Sequence, residues 1–165
     1  MRFVMFYHSL VSDWNHGNAH FLRGVVSDLI ARGHTVTVYE PRDGWSLSNL
    51  KRDQGDALLH EFRQVYPGLT SRFYVLDEWD LDQTLSQADV VLVHEWNDHE
   101  LVRRVGEARA RSQQFRLLFH DTHHRAVTDR PSMAAYDLKH YDGVLAFGGV
   151  LRDLYLAEGW ARRAW

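Results

Sequence analysis

The sequence predicts an α/β fold with a parallel sheet. Short apolar runs alternate along the 165 residues with longer segments of helical periodicity. The apolar runs are nearly continuous rather than alternating with polar residues, which indicates strands covered on both faces. No Pro/Gly-rich linker and no internal repeat interrupts the alternation. We therefore expect one domain over residues 1–165.

Six segments have the composition of buried strands and are separated by helical segments. The strand segments are 2–7, 34–40, 72–76, 89–94, 115–120 and 142–147. The helical segments are 19–33, 46–66, 80–87, 97–111, one begun by Pro131 and Ser132, and 149–158. The first helix carries an apolar stripe of Phe21, Leu22, Val25, Val26, Leu29 and Ile30, and Gly33 is placed to end it. Strand–helix–strand units take right-handed crossovers, so the predicted fold is a Rossmann-like, doubly wound parallel sheet of about six strands in three αβα layers.

Composition and charge exclude several classes of protein. A hydrophobic content of 45% with 25% charged residues is typical of a globular protein. A formal net charge of -3 argues against a nucleic-acid partner. The chain has no cysteine, so disulfides and thiolate metal sites are excluded. The N-terminal run lacks the features of a signal peptide, and no apolar run approaches the ~20 residues of a membrane span. We expect a cytoplasmic protein, with peripheral membrane contact left open.

Histidine and tryptophan are concentrated after the predicted strands. The chain has eleven histidines and six tryptophans. Those in or just beyond strand-to-helix loops are His8, Trp14, His16, His20, Trp45, Trp79, His94, Trp96, His99, His120, His123 and His124. Ligands of doubly wound sheets bind outside the carboxyl ends of the strands. Tryptophan faces suit sugar rings or bases, and histidines can hydrogen-bond hydroxyls. The pattern favours a ligand cleft; the alternative is that these residues seal loops and fill the surface.

The loop after the first strand does not fit a dinucleotide site. That site needs G-x-G-x-x-G, and this loop holds Gly17 alone. Glu40 ends the second strand, where a ribose-binding acid would lie, but without the glycines it is better interpreted as an ordinary strand-end acid. Gly17 and Asn18 open the first helix with His20 in its first turn, and free amides there attract phosphate or carboxylate groups. A nicotinamide dehydrogenase is disfavoured.

The ordered motifs resemble the N-terminal half of a GT-B glycosyltransferase of the retaining, family-four kind found in bacteria. "HGNAHFLRGVVSDLIARGHTVTVYEP" is similar to the start of that family, through Gly17, His20 and "ARGHTVTV" (31–38). "VVLVHEWND" resembles its fourth-strand ending through His94 and Trp96. His120 of "LLFHDTHH" matches a histidine that lies close to the family's sugar-transfer centre. "DGVLAFGGVLRDLYLAEG" resembles the following strand and helix, so the resemblance covers nearly the whole chain. One departure is that the family's double-glycine loop is reduced here to Gly17.

The resemblance implies that this chain is the acceptor-binding half of a larger enzyme. A nucleotide-sugar donor would bind in a C-terminal domain beyond Trp165, so this domain would hold no cofactor and would be inactive alone. Its partners would be that donor-binding domain and a sugar acceptor, whether a small molecule, a glycan or a lipid-linked group. The implied catalytic residue is His120. The candidate substrate-binding residues are Trp14, Gly17, Asn18, His20, Trp45, His94, Trp96, Asp121 and Arg125.

Three interpretations of "HDTHH" (120–124) remain open. His120 could contact the donor sugar or assist proton transfer. His120, His123 and His124, with Asp98 or His99, could instead hold the zinc of a free-standing hydrolase. In the structural interpretation, which we favour for His123 and His124, Asp121 caps the following segment and those two histidines are solvated. A non-catalytic sugar- or nucleotide-binding module is a further alternative for the whole chain.

Overall fold

The computed structural model describes residues 1–11, 17–112 and 114–165. The chain is an α/β protein with a six-stranded parallel sheet flanked by helices, which confirms the predicted Rossmann-like class. Each strand overlaps one of the six predicted segments. The chain divides into two compact units, Met1–Trp79 and Asp80–Trp165, and each is described by itself.

In residues 1–11 and 17–79, the first unit contains three strands and three α-helices. The strands are β1 (Arg2–Phe6), β2 (Thr35–Pro41) and β3 (Ser71–Tyr74), in the order β3-β2-β1. The helices are α1 (Gly17–Ala31), α2 (Trp45–Gln54) and α3 (Ala57–Val65), and a 3₁₀ turn covers Leu76–Glu78. The predicted helical region 46–66 is two helices rather than one. Gly55 ends α2 with a φ of 68°, a left-handed conformation that glycine adopts without strain.

The buried residues of α1 differ from the apolar stripe predicted for this helix. The buried residues of this helix are Ala19, Leu22, Arg23 and Val26. Phe21 and Ile30 are instead exposed, because the covered face is narrower than the apolar one. Gly33 ends α1 as predicted, with a φ of 80°. Glu40 is buried and accepts hydrogen bonds from the amides of Leu10 (3.0 Å) and Val11 (3.1 Å), so its observed contacts are structural.

Over its described residues, 80–112 and 114–165, the second unit contains three strands and five α-helices. The strands are β4 (Val90–His94), β5 (Arg116–His120) and β6 (Gly143–Leu145), in the order β4-β5-β6. The helices are α4 (Leu81–Leu85), α5 (His99–Ser112), α6 (Arg125–Thr128), α7 (Arg130–Ala134) and α8 (Gly149–Ala157). Pro131 lies in the first turn of α7, where its missing N–H costs nothing. The core includes Val91, Val93, Leu117, Phe119 and Val144, all fully buried.

The register of the second unit aligns the ends of its strands. His94 of β4 lies opposite His120 of β5, and His120 lies opposite Leu145 of β6. The residues that follow β4 and β5 therefore start from the same edge of the sheet. Among the helices that the structure describes, none is long and apolar enough to cross a membrane.

Candidate functional site

Two histidines end neighbouring strands of the second unit. The rings of His94 and His120 are 5.7 Å apart at an angle of 77°. His94 is fully buried; its Nδ1 accepts from the backbone N–H of Trp96 (3.3 Å), and its Nε2 lies 2.8 Å from the hydroxyl oxygen of Thr122. Because Nδ1 is an acceptor, the proton of a neutral ring lies on Nε2, which donates to Thr122. His94 thus orients the loop after β5.

His120 differs from His94 in that it is only partly buried. Burial disfavours the charged imidazolium and lowers the pKa of His120 to about 4. The ring is therefore neutral at physiological pH. A neutral imidazole offers one donor and one acceptor, which suits the hydrogen bonding of a hydroxyl group.

Two buried carboxyl groups follow the histidines. Glu95 comes directly after β4 and Asp121 directly after β5, and their exposed fractions are 0% and 1%. Asp121 accepts hydrogen bonds from the N–H of His123 (3.0 Å) and the hydroxyl of Tyr155 (2.9 Å). This bond caps the turn after β5 rather than a helix, since the N-cap residue of α6 is His124. Burial, and next the nearby charge of Asp121, raise the pKa of Glu95 to about 8.

Three polar groups surround one ring nitrogen of His123, Nδ1. Its Nδ1 lies 3.0 Å from Glu95 Oε1, 3.1 Å from Thr122 Oγ1 and 3.2 Å from the indole nitrogen of Trp96, which donates. The side chain of His123 is 32% exposed. Desolvation lowers its pKa below the ordinary histidine value. The expectation that His123 is merely solvated therefore does not describe its contacts.

Arg125 and Trp96 form the outer part of the cluster. The guanidinium carbon of Arg125 lies 4.4 Å from the ring centre of Trp96, a cation–π distance. Arg125 also donates to the backbone oxygen of Glu95 (3.3 Å) and to the hydroxyl of Ser132 (3.0 Å). Trp96 is 46% exposed. Arg125 thus fixes an aromatic surface that remains accessible to solvent.

The structure brings together five of the predicted site residues in the second unit. These are His94, Trp96, His120, Asp121 and Arg125, and we refer to them with Glu95, Thr122 and His123 as the strand-end cluster. Glu95 was missed as a site residue in the sequence, and His123 was considered there only as an alternative zinc ligand. An acid placed directly after a buried strand was the available signal for Glu95. The contact of Tyr155 with Asp121 had no sequence signal.

The other predicted site residues belong to the first unit, except Trp14, which lies outside the described residues. Gly17 and Asn18 begin α1 as predicted. His20 is exposed and lines a surface groove together with Arg23, Phe62 and Tyr66. Trp45 begins α2 and is 65% exposed.

The zinc interpretation of the "HDTHH" loop gains no support from the geometry. In residues 1–11, 17–112 and 114–165, no group of three His, Asp or Glu side chains is placed to hold a metal ion. Nδ1 of His123 lies among Glu95, Thr122 and Trp96, as described above. His124 is exposed, with its Nδ1 3.1 Å from the hydroxyl oxygen of Thr128.

Comparisons of the chain with protein-family models, with curated proteins and with solved structures found no match in any of the three. The strand-end cluster combines a neutral imidazole, a carboxyl group with a raised pKa and an exposed aromatic ring. Perturbed titratable groups beside an exposed aromatic surface favour a site that binds a ligand and moves protons.

Proposed function

We propose that this chain is the acceptor-side domain of a glycosyltransferase that uses a nucleotide-sugar donor. The observation that carries the proposal is the position of His120. It ends β5 at the carboxyl edge of a parallel sheet, as a neutral and partly exposed imidazole next to His94. Ligands of such sheets bind at this edge, and the sequence resemblance independently assigns a sugar-contacting role to His120.

The side chains of the strand-end cluster suit a sugar better than a flat cofactor. Trp96 offers an exposed ring on which the C–H face of a sugar can pack. Arg125, stacked on that ring, supplies a fixed positive charge for an anionic group such as a diphosphate. A neutral His120 can hydrogen-bond a sugar hydroxyl without adding charge. Together these groups would orient a sugar and favour a negatively charged leaving group.

In this proposal His120 positions the transferred sugar, or passes a proton, while the donor nucleotide is held by a second domain. General acid–base assistance from one positioned side chain typically contributes ~10²–10⁴ in rate. Orientation by a neutral hydrogen-bonding group adds to this because the reacting atoms must be aligned. The acceptor hydroxyl would approach at the same edge of the sheet.

Substitution of His120 in the full-length natural protein tests the proposal. We expect His120→Ala to lower sugar transfer from a panel of nucleotide sugars by ~10²–10⁴-fold while the far-UV circular dichroism stays unchanged. His124→Ala is the matched control, because His124 lies in the same loop but is exposed. Wild-type transfer by His120→Ala, or an equal loss in both variants, would refute the role of His120.

A second candidate function is sugar binding without transfer, and the exposed ring of Trp96 is the observation that favours it. In that case Trp96→Ala would weaken sugar binding measured by calorimetry. No nucleotide sugar would be consumed by the wild-type protein. Consumption of a donor with product formation excludes this candidate.

A further inference from the structure

We propose that Glu95 and His123 form a proton-donating dyad, in which His123 delivers a proton from Nε2 to a substrate oxygen and Glu95 replaces it at Nδ1. The identity of that oxygen, the leaving phosphate oxygen of a nucleotide sugar, rests on the proposed function. The arrangement of the dyad does not, because it follows from the hydrogen bonds around the two side chains.

The hydrogen bonds around His123 decide which group holds the shared proton. The indole nitrogen of Trp96 can only donate, and it donates to Nδ1 of His123 at 3.2 Å. Nδ1 is therefore an acceptor in this structure. Glu95 Oε1 lies 3.0 Å from the same atom, and two acceptors at that distance would repel. The contact is favourable when Glu95 is a carboxylic acid that donates its O–H to Nδ1.

The burial of Glu95 supports the same protonation state. Its side chain is fully inaccessible, and Oε2 has no hydrogen-bond partner within the part of the chain that the structure describes; the nearest guanidinium nitrogen of Arg125 is 4.0 Å away. A carboxylate would leave that anionic oxygen desolvated and unpaired, which is far more costly than a buried neutral carbonyl. Oε1 also accepts the N–H of Thr122 at 2.9 Å, which fixes the orientation of the group.

The charged and titratable groups around the dyad come from each side of the cluster. Asp121, on the loop after β5, disfavours a second negative charge on Glu95, whereas Arg125 of α6 opposes that effect. Tyr136 contacts the backbone oxygen of Glu95, and Tyr155 of α8 donates to Asp121. Desolvation is the main cause of the lowered pKa of His123; Asp121 opposes it, and His124 and Arg125 add to it. A dyad without net charge, in which Glu95 is protonated, is consistent with these opposing effects.

The exposure of the two side chains assigns their separate roles. Glu95 is inaccessible and can act only through His123, whereas about a third of His123 is exposed. Since Nδ1 faces Glu95, Thr122 and Trp96, Nε2 is the nitrogen that exchanges a proton with a bound molecule. His123 is thus the catalytic residue of the dyad and Glu95 a positioning and proton-supplying residue.

The proposed step keeps the count of protons balanced. As the bond between the sugar carbon and the phosphate oxygen breaks, that oxygen takes the proton of Nε2. The proton of Glu95 moves to Nδ1, which leaves a carboxylate and a neutral ring protonated on Nδ1. The sugar carbon bonds to the acceptor oxygen, and the proton released by the acceptor hydroxyl restores the dyad. No other reactant is needed.

The first test concerns the proton and needs no activity. We expect ¹⁵N NMR of the labelled wild-type chain at pH 6–7 to show His123 protonated on Nε2 and unprotonated on Nδ1. Assignment follows from the loss of the signal in His123→Gln. A proton on Nδ1 instead would mean an ordinary imidazole–carboxylate pair and would overturn the dyad as proposed.

The second test measures transfer in the full-length protein with Glu95→Gln. Glutamine cannot release a proton to Nδ1, so we expect turnover to fall ~10²–10⁴-fold. In the wild-type protein, turnover should fall at alkaline pH as Glu95 ionises. The residual turnover of Glu95→Gln should show no such fall. Glu100→Gln, an exposed acid paired with Arg103 on α5, is the control and should retain wild-type turnover.

The outcomes separate this inference from the proposed function. Wild-type turnover and an unchanged pH profile in Glu95→Gln would overturn the dyad while leaving glycosyl transfer intact. Absence of transfer in the wild-type protein would refute the proposed function, and the NMR result would then decide the dyad by itself.

Discussion

Glu95→Gln should change the pH dependence of folding stability. Burial and the charge of Asp121 raise the pKa of Glu95 from an ordinary value of 4.5 to about 8. A group with a higher pKa in the folded state binds more protons there, so stability falls as pH rises. The contribution of Glu95 is complete below pH ~4, is lost progressively above it and is fully lost above pH ~8. Glutamine has nearly the same shape and does not ionise.

The size of the effect follows from the same pKa. At ~1.4 kcal/mol per pH unit, the loss in the wild-type protein is at most about 5 kcal/mol. We expect a loss of about 2–5 kcal/mol between pH 4 and 9. This is a large part of the 5–15 kcal/mol typical of a whole domain.

Urea unfolding of both proteins across that pH range measures the difference, since groups common to the two proteins cancel. The free energy of unfolding of Glu95→Gln should rise relative to wild type with increasing pH. Parallel curves for the two proteins would refute the conclusion that Glu95 is protonated in the folded state.

Three further predictions rest on other contacts. Tyr155→Phe removes the donor to Asp121 and should lower the free energy of unfolding by about 1.5–3 kcal/mol in denaturant titrations; no change would show that the bond adds nothing. Gly143→Ala places a Cβ 2.5 Å from the ring of Trp165 and should lower the free energy of unfolding by about 1–3 kcal/mol. The loss should be smaller when Trp165→Ala is also present, and an equal loss with and without Trp165→Ala would exclude that contact as the cause. The ring of His120 should show no titration between pH 6 and 8 by NMR, and a midpoint near ~6.5 would contradict its burial.

The fold was predictable from the sequence because the alternation of apolar strands and amphipathic helices is a local pattern. The pattern does not show which residues of an apolar helix face are buried by neighbouring elements. Phe21 belongs to the predicted stripe of α1 but is exposed, since the neighbouring elements cover a narrower strip. Gly55 was similarly ambiguous, because a glycine within a polar helical region either is tolerated or ends the helix.

The candidate site was predictable where it depends on strand ends. His94, His120 and Asp121 follow from the rule that loops after parallel strands share one edge. The contacts of His123 with Trp96, 27 residues away, depend on tertiary packing that spacing does not encode. The protonation of Glu95 depends on burial in the folded protein, which a strand-end acid does not reveal by itself.

NMR can test the proposal that a sugar binds at the strand-end cluster of the second unit. The ¹⁵N-labelled chain is titrated with nucleotide sugars and simple acceptor sugars while the indole N–H of Trp96 and the ring of His120 are followed. We predict that both signals shift with the same saturation curve, whereas the ring of exposed His60 on α3 does not. Unchanged signals of Trp96 and His120 with every sugar and nucleotide sugar would contradict the claim.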